Sequence, residues 1–383
     1  MTEVSNHLLP FIVIVLLIVY LSYLSVYSSG LLKLTKGNNL SQESVTVIIA
    51  ARNEEHTIGK CLESLCSQKY PRDNYSIIVV DDGSIDATRE IIERYGARHS
   101  PTVRLISISD RPAGISPKIN ALSQAMKIAD GSIIMTTDAD CVVTPEWISS
   151  TMRYFDENTG VVTGVTTYDT HKAPSPVFGG MQFLDFISYT AVGAGAIGNG
   201  NVILCNGSNM AFRRKAFDEA GGFASLKHLN TGDDSLLGQL ITRSKKWSGR
   251  FNIDPEAAVT TYPVSSVGEF FSQRMRWAGQ TTEYPAAVLF FMICSFLMFT
   301  ILFFWIPVSL FVWSPLPWTV LVVKSIVDYN VMKRFCTITH TDRALKYFIP
   351  TAVIHIPVIL VSVVGGFFLQ FRWKDQTVRR TAA

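Results

Sequence analysis

No GxGxxG follows any predicted strand of this 383-residue chain, and no GxxxxGK[ST] occurs. The first absence removes a dinucleotide cofactor held on a glycine-rich turn, and the second removes a Walker-type phosphate loop. Six cysteines (Cys61, Cys66, Cys141, Cys205, Cys294, Cys336) make no CxxC pair and no metal-ligand spacing, so reduced thiols facing a cytosol are expected. Charge is scarce as well: charged residues are 17%, the formal net charge is +3, and bases are mixed with acids along the chain. That pattern offers no basis for binding nucleic acid. Glu3 and no base precedes the first apolar run, which argues against a cleaved secretory signal.

What the chain has is apolar surface, 48% of its residues, with a mean hydropathy of +0.24. Leu8 to Tyr27 carries no charge and has roughly the twenty residues that cross a bilayer core as a helix. Lys33 and Lys36 follow it, which places the next segment in the cytosol by the positive-inside tendency. The expected layout is a transmembrane helix in 1–30, a linker in 31–44, a soluble α/β domain in 45–263, an amphipathic interfacial segment in 264–285, a membrane region of two to three helices in 286–371, and a tail in 372–383.

Within 45–263, apolar runs alternate with helical patterns. Val45 to Ala50, Ser76 to Val80, Val103 to Ser107 and Ile133 to Thr137 read as strands. Glu55 to Cys66, a segment after Asp86, and Lys118 to Ala129 read as helices. This alternation predicts right-handed crossovers and a mostly parallel sheet, with ligands beyond the strands' carboxyl ends. Asn53, Asp81 and Asp138 all fall there. Without a glycine cradle, phosphates need a cation, and Asp138 with Asp140 offers the hard oxygen that Mg2+ or Mn2+ takes. Lys118 at a helix start can add a positive charge.

In this order, VTVIIAARNEEHTIGKCLESL, IIVVDDGSIDAT, KINALSQA and TTDAD resemble the nucleotide-binding half of family 2 glycosyltransferases of the GT-A fold. CNGSNMAFRR, TGDDSLLGQL and QRMRW extend the resemblance over roughly Val45 to Trp277. It implies a membrane-embedded, inverting glycosyltransferase, similar to polysaccharide synthases and ceramide glucosyltransferase-like enzymes, with a cytosolic catalytic domain. The donor would be a nucleotide-diphosphate sugar, a UDP-sugar being expected, and Mg2+ or Mn2+ the cofactor. The acceptor would be a growing polysaccharide or a lipid-linked glycan, or alternatively a single membrane lipid. Export of a polymer through so few membrane segments would require a homo-oligomer or partners.

By the same resemblance Asn53, Glu54 and Asp81 would lie at the nucleoside, Asp138 by the ribose and diphosphate, Asp140 on the metal, and Lys118 near the phosphates. Asn206 to Asn209 would form the loop near donor sugar and acceptor. Asp234 would be the base that takes the acceptor proton, Arg276 would stabilise the leaving group, and Gln273 and Trp277 would complete the QxxRW signature. The chain departs from the family pattern at Ala50, where proline is common, at Asp233, where glutamate is, and at Leu236, where an acid often stands.

Each residue has a structural competitor. Asp86 reads as a helix cap, Asp233 and Asp234 can cap the helix of Leu236, Leu237 and Leu240, and Lys118 can be a solvated helix-start lysine. Trp277 and Trp247 can be interfacial anchors, and His171 reads as a surface residue. In 264–285, Val267, Phe270, Phe271, Met275 and Trp277 can share an apolar side, with Gln273, Arg274 and Arg276 elsewhere, as on a helix lying along a membrane surface. A hairpin is expected to turn near Trp313 to Pro317, with a last apolar segment from Phe348 to Phe371. His355, apart from which the apolar segments hold almost no ionisable residue, is expected to cap a carbonyl freed by Pro350 or Pro357. A nucleotide-sensing membrane protein without transferase activity is the alternative from another class.

Overall fold

The computed structural model describes residues 2–100, 102–108, 115–226, 233–279, 284–368, 371–373 and 376–378. Expectations placed on Thr231, Gly232, Lys374, Arg379 and Arg380, and on the side chains of Asp233 and Arg372, lie outside the described residues. Two compact units form: one comprises 33–173 with 196–263, the other 1–32, 174–195 and 264–383.

The first unit is the α/β fold. Its strands are β1 (Val45–Ala51), β2 (Tyr75–Asp81), β3 (Val103–Ser107), β4 (Ile133–Thr136), β5 (Val142–Val143), β6 (Thr159–Gly164), β7 (Thr166–Tyr168), β8 (Met210–Arg213), β9 (Ser248–Asn252) and β10 (Val259–Thr261). Seven of them make one sheet in the order β3-β2-β1-β4-β8-β6-β9, and β5-β10-β7 make a small second one. β1 pairs in parallel with β2, from Val45 opposite Tyr75 to Ala51 opposite Asp81, and with β4 on its other side. β1, β2 and β4 are buried almost throughout, as strands covered by helices on both faces must be. The order reverses at β1, which leaves a crevice between the carboxyl ends of β1 and β4. β8 runs antiparallel to both β4 and β6, so the sheet is mixed at that side.

The helices of this unit are α2 (Ile58–Cys66), α3 (Thr88–Arg98), α4 (Pro117–Ile128), α5 (Trp147–Met152), α7 (Arg214–Glu219) and α8 (Asp233–Arg243). α2 buries Ile58, Cys61, Leu62 and Leu65, one apolar stripe at helical spacing. α4 starts on Ser116, whose Oγ accepts from the Ile119 N–H at 3.3 Å, with Pro117 in its first turn. Trp147, Tyr154 and Phe155 are fully buried in the core.

The second unit is helical: α1 (Thr2–Leu31), α6 (Pro176–Gly198) as far as Gly195, α9 (Val267–Ala278), α10 (Ala286–Val312), α11 (Leu316–Ile338) and α12 (Phe348–Phe368), with a hairpin of β11 (Phe371–Trp373) and β12 (Gln376–Val378). Among the described residues, three helices are long and apolar enough to cross a membrane: His7–Leu31, Ala286–Val312 and Asp342–Phe368. The turn between α10 and α11 falls at Trp313, which caps α10 in the left-handed conformation with φ 52°.

Several expectations need correction here. The last apolar helix is described as far as Phe368, and Phe371 stands in β11, outside it. The second arm of the hairpin runs to Ile338 and carries Lys324, 3% exposed, paired with Asp328 one turn on. Tyr20 Oη donates to Asp328 at 2.7 Å, and Lys324 stands 3.4 Å from His355 Nδ1. α11 therefore continues past the apolar run expected there into a segment that holds ionisable residues, and His355 faces a lysine side chain instead of a freed carbonyl.

Candidate active site

The loop after β1 and the loop after β2 lock together. Asn53 sits in the left-handed region at φ 52°, which asparagine tolerates better than most residues. Its N–H donates to Ser84 Oγ and its Oδ1 accepts from the Ile85 N–H, each at 3.0 Å. Asp81, buried at the end of β2, accepts from the Ser84 N–H at 3.1 Å. The Glu54 N–H donates to Thr88 Oγ1 at 2.7 Å, and its carboxylate accepts from Thr57. Asp86 stands one residue before Ala87, the N-cap of α3, and accepts from the N–H groups of Thr88 and Glu55, so it joins the two loops and is not itself the cap that the alternative had it to be. Burial alone would raise the Asp86 pKa, but these hydrogen bonds outweigh it and hold the carboxyl below its ordinary value.

Beyond β4 lies a cavity lined by Lys118, Thr136, Thr137, Asp138, Gly207 and Asp234 among others. Lys118 Nζ, on the first turn of α4, is 3.4 Å from Asp138 Oδ1. Asp234, on the first turn of α8, accepts from the Gly207 N–H at 2.6 Å and from its neighbour Ser235 at 2.8 Å, which fixes the plane of its carboxylate. A Cβ on Gly207 would lie 3.0 Å from Asp234 Oδ2 and 3.2 Å from Lys118 Nζ, so a side chain there would press on both of these groups. Thr137 Oγ1 is buried on the cavity wall and has no hydrogen-bond partner among the described residues. A buried hydroxyl left so is expensive unless a ligand meets it.

Asp138, Asp140 and Cys141 bring their ligand atoms within 4.8 Å of one another. Asp140 Oδ2 accepts from Thr261 Oγ1 at 3.2 Å, a contact from the end of β10. Burial, then the nearby carboxylates, push the Cys141 thiol well above its ordinary pKa. Two hard oxygens and the orphaned Thr137 hydroxyl fit a divalent cation of the Mg2+ or Mn2+ kind with its phosphate ligand.

The unit thus brings together Lys118, Asp138, Asp140 and Asp234 and joins Asn53 to Asp81 through Ser84. Thr137 and Thr261 join them unannounced by the sequence, with only the run of threonines before Asp138 hinting at the first; Gly207, from the loop expected near donor sugar and acceptor, lines the same cavity. Asn209 departs from its expected place by the donor. It is buried, accepts from Trp147 Nε1 at 3.0 Å and donates to the Val165 and Ala257 carbonyls, a bracing role. Trp247 is no interfacial anchor: it is buried, and its Nε1 donates to Glu219 at 2.8 Å. His171 is exposed. All six cysteines are free.

Gln273, Arg276 and Trp277 lie in the other unit, on α9. Trp277 packs against Phe186 and Tyr189 of α6. Arg274, expected on the polar side of α9, is instead 2% exposed and paired with Asp185.

The family model described as glycosyl transferase family 21 matches residues 9–379. A beta-monoglucosyldiacylglycerol synthase of Synechocystis sp. is 27% identical over 252 residues, which are 61% of this chain and 47% of that protein. A poly-beta-1,6-N-acetyl-D-glucosamine synthase of Staphylococcus epidermidis is 26% identical over 258 residues, 64% of this chain and 57% of that protein. The chain spans about half the length of the first of these relatives. Among solved structures, a mannosyltransferase from Pyrobaculum calidifontis in complex with GDP-Man and Mn2+ superposes with a TM-score of 0.63 at 19% identity, covering 91% of this chain and 99% of that one. That likeness shows the fold, the α/β glycosyltransferase architecture expected from the sequence.

Proposed function

From the premise that the chain belongs to glycosyl transferase family 21, we propose that it is a membrane-bound inverting glycosyltransferase acting on a membrane-lipid acceptor. Its donor is a nucleotide-diphosphate sugar, a UDP-sugar in our reading, and it uses Mg2+ or Mn2+. The observation that carries this reading is the cavity that joins Lys118, Asp138 and Asp234, with Asp140 beside it. Mannosyl donor and Mn2+ in the Pyrobaculum structure support a sugar nucleotide and a divalent ion.

In this mechanism Asn53, Glu54 and Asp81 hold the nucleoside, Asp138 the ribose and diphosphate side, and Lys118 the phosphates. Asp140, with Asp138 near it, would hold the cation, which when bound would supply Lewis-acid neutralisation of the diphosphate charge. Asp234 takes the proton of the acceptor hydroxyl as its oxygen bonds to the anomeric carbon and the carbon–oxygen bond to the diphosphate breaks on the opposite face. The two N–H groups on Asp234 hold it ready for that proton. By the family resemblance alone, Arg276 stabilises the leaving group and Gln273 and Trp277 bind beside it.

Relatives named for diacylglycerol glucosylation and for polysaccharide synthesis are equally similar, and what favours a lipid acceptor and single transfer is that three apolar helices among the described residues are little to build a polymer conduit. In our reading the helices anchor the protein in the cell membrane with the catalytic unit in the cytosol. The test is a donor screen with the protein in nanodiscs, membrane lipid as acceptor, and product mass as readout. One added hexose per lipid, abolished by chelator and restored by Mg2+ or Mn2+, is expected. A ladder of masses would move the acceptor to a polymer, and no transfer from any nucleotide sugar would sink the reading.

A further inference from the structure

α9 is held more firmly than an interfacial helix needs to be. Ser266 caps it, accepting from the Glu269 N–H at 3.2 Å, and Glu269 returns to the Ser265 N–H at 3.0 Å. α6 then grips it at two points. Gln182 brackets Val264 just before the helix, taking its N–H at 3.0 Å and giving to its carbonyl at 3.1 Å. Three residues on along α6, Asp185 Oδ2 meets Arg274 Nε at 2.5 Å, with side chains 6% and 1% exposed.

The guanidinium of Arg274 is the hub. It lies over the rings of Phe270 and Trp277, 4.6 and 4.2 Å from their centroids, and Nη1 donates to Gln273 Oε1 at 2.7 Å. Phe270, Arg274 and Trp277 share one face of the helix by their spacing. Trp277 is in turn edged by Tyr189 of α6, at 6.1 Å and 83°. On the other side α12 comes so close that a Cβ on Gly366 would lie 2.5 Å from the Met275 carbonyl. A buried ion pair adds little net stability over an apolar pair of the same shape, so its use here lies in fixing geometry.

We propose that Asp185 is a positioning residue that acts through Arg274 to hold Gln273 and Trp277 in the orientation that sugar transfer to the acceptor requires. The inference rests on the role given to α9 above, but its structural half does not. In hydrogen exchange on nanodisc-embedded protein, Asp185→Asn should speed exchange of the 267–278 amides about tenfold, and unchanged protection there overturns the proposal.

The functional readout is the ratio of donor hydrolysis to transfer, which does not depend on how much enzyme is folded. It should rise about tenfold in Asp185→Asn, since a small misplacement costs transfer first, and return toward the native value in Asp185→Glu. A ratio unmoved by Asp185→Asn, or moved equally by Asp185→Glu, overturns it. If Asp185→Asn does not accumulate, the pair Asp185→Leu with Arg274→Met, which buries no charge, carries the same two readouts. A native chain that transfers no sugar removes the function reading and leaves the clamp to the exchange result.

Discussion

Lysine or arginine meets aspartate in both units, under opposite conditions of burial. In the catalytic unit Lys118 and Asp138 are 31% and 44% exposed at 3.4 Å, open to be re-partnered by a charged ligand. In the helical unit Arg274 and Asp185 are 1% and 6% exposed at 2.5 Å, and Lys324 with Asp328 are 3% and 19% exposed. An exposed pair contributes about 0–1 kcal/mol, so little stability is lost when a ligand displaces it. A buried pair resists displacement, because parting it leaves a charge in a medium that cannot solvate it. The same kind of pair therefore stands open to a ligand in one unit and holds helices together in the other.

The sharpest test of that division is Asp140→Asn, which should cut metal-dependent transfer by about a thousandfold, ~4 kcal/mol of barrier, with the thermal midpoint barely moved. Activity assay and melting curve on one preparation check both halves. Lys324→Met should do the reverse. Asp328 would keep the Tyr20 hydroxyl but lose its opposite charge, and the protein should lose about 3 kcal/mol of stability, most of it recovered when Asp328→Leu is added. A single variant as stable as the native chain in a denaturation series would break the comparison.

Lys118→Met tests the exposed pair directly: transfer should drop about a hundredfold, ~2.7 kcal/mol, with donor affinity weakened and stability changed by less than ~1 kcal/mol. An intermediate case is Asp86, a structural carboxylate on the catalytic rim. Its folded pKa is lowered, so its contribution is present at neutral pH and is lost as pH falls through the lowered value. Asp86→Asn should cost about 1 kcal/mol at pH 7, with the gap to native closing as the pH is brought below the carboxylate range. Melts across pH would show whether it closes.

The catalytic unit was largely legible because its signals are local. Val45 to Ala50 and Ile133 to Thr137 announce buried strands by continuous apolar runs, and the residues that follow them must emerge at one sheet edge. The antiparallel β8 and the Thr261 contact to Asp140, 121 residues away, leave no such local mark. The helical unit was harder for a related reason. A helical-wheel reading sends Arg274 to the polar side because it cannot know of Asp185, 89 residues earlier in the chain. Lys324 and Asp328 likewise interrupt an apolar run whose partner, Tyr20, is 308 residues from Asp328. Asn209 looked like a ligand because its neighbours Asn206 and Gly207 fit a family loop, while its own bonds run to Trp147 and two backbone carbonyls.

The pairing of Lys324 and Asp328 with Tyr20 also bears on how the chain is made. A lysine and an aspartate near the middle of a helix each oppose entry into a bilayer by about 3 kcal/mol, so α11 is a poor candidate to leave the ribosome's exit route by itself. α1 is synthesised about three hundred residues earlier and already presents the phenol that Asp328 takes. The first helix thus supplies the late one with a hydroxyl for its buried carboxylate, a service that an apolar run alone could not render.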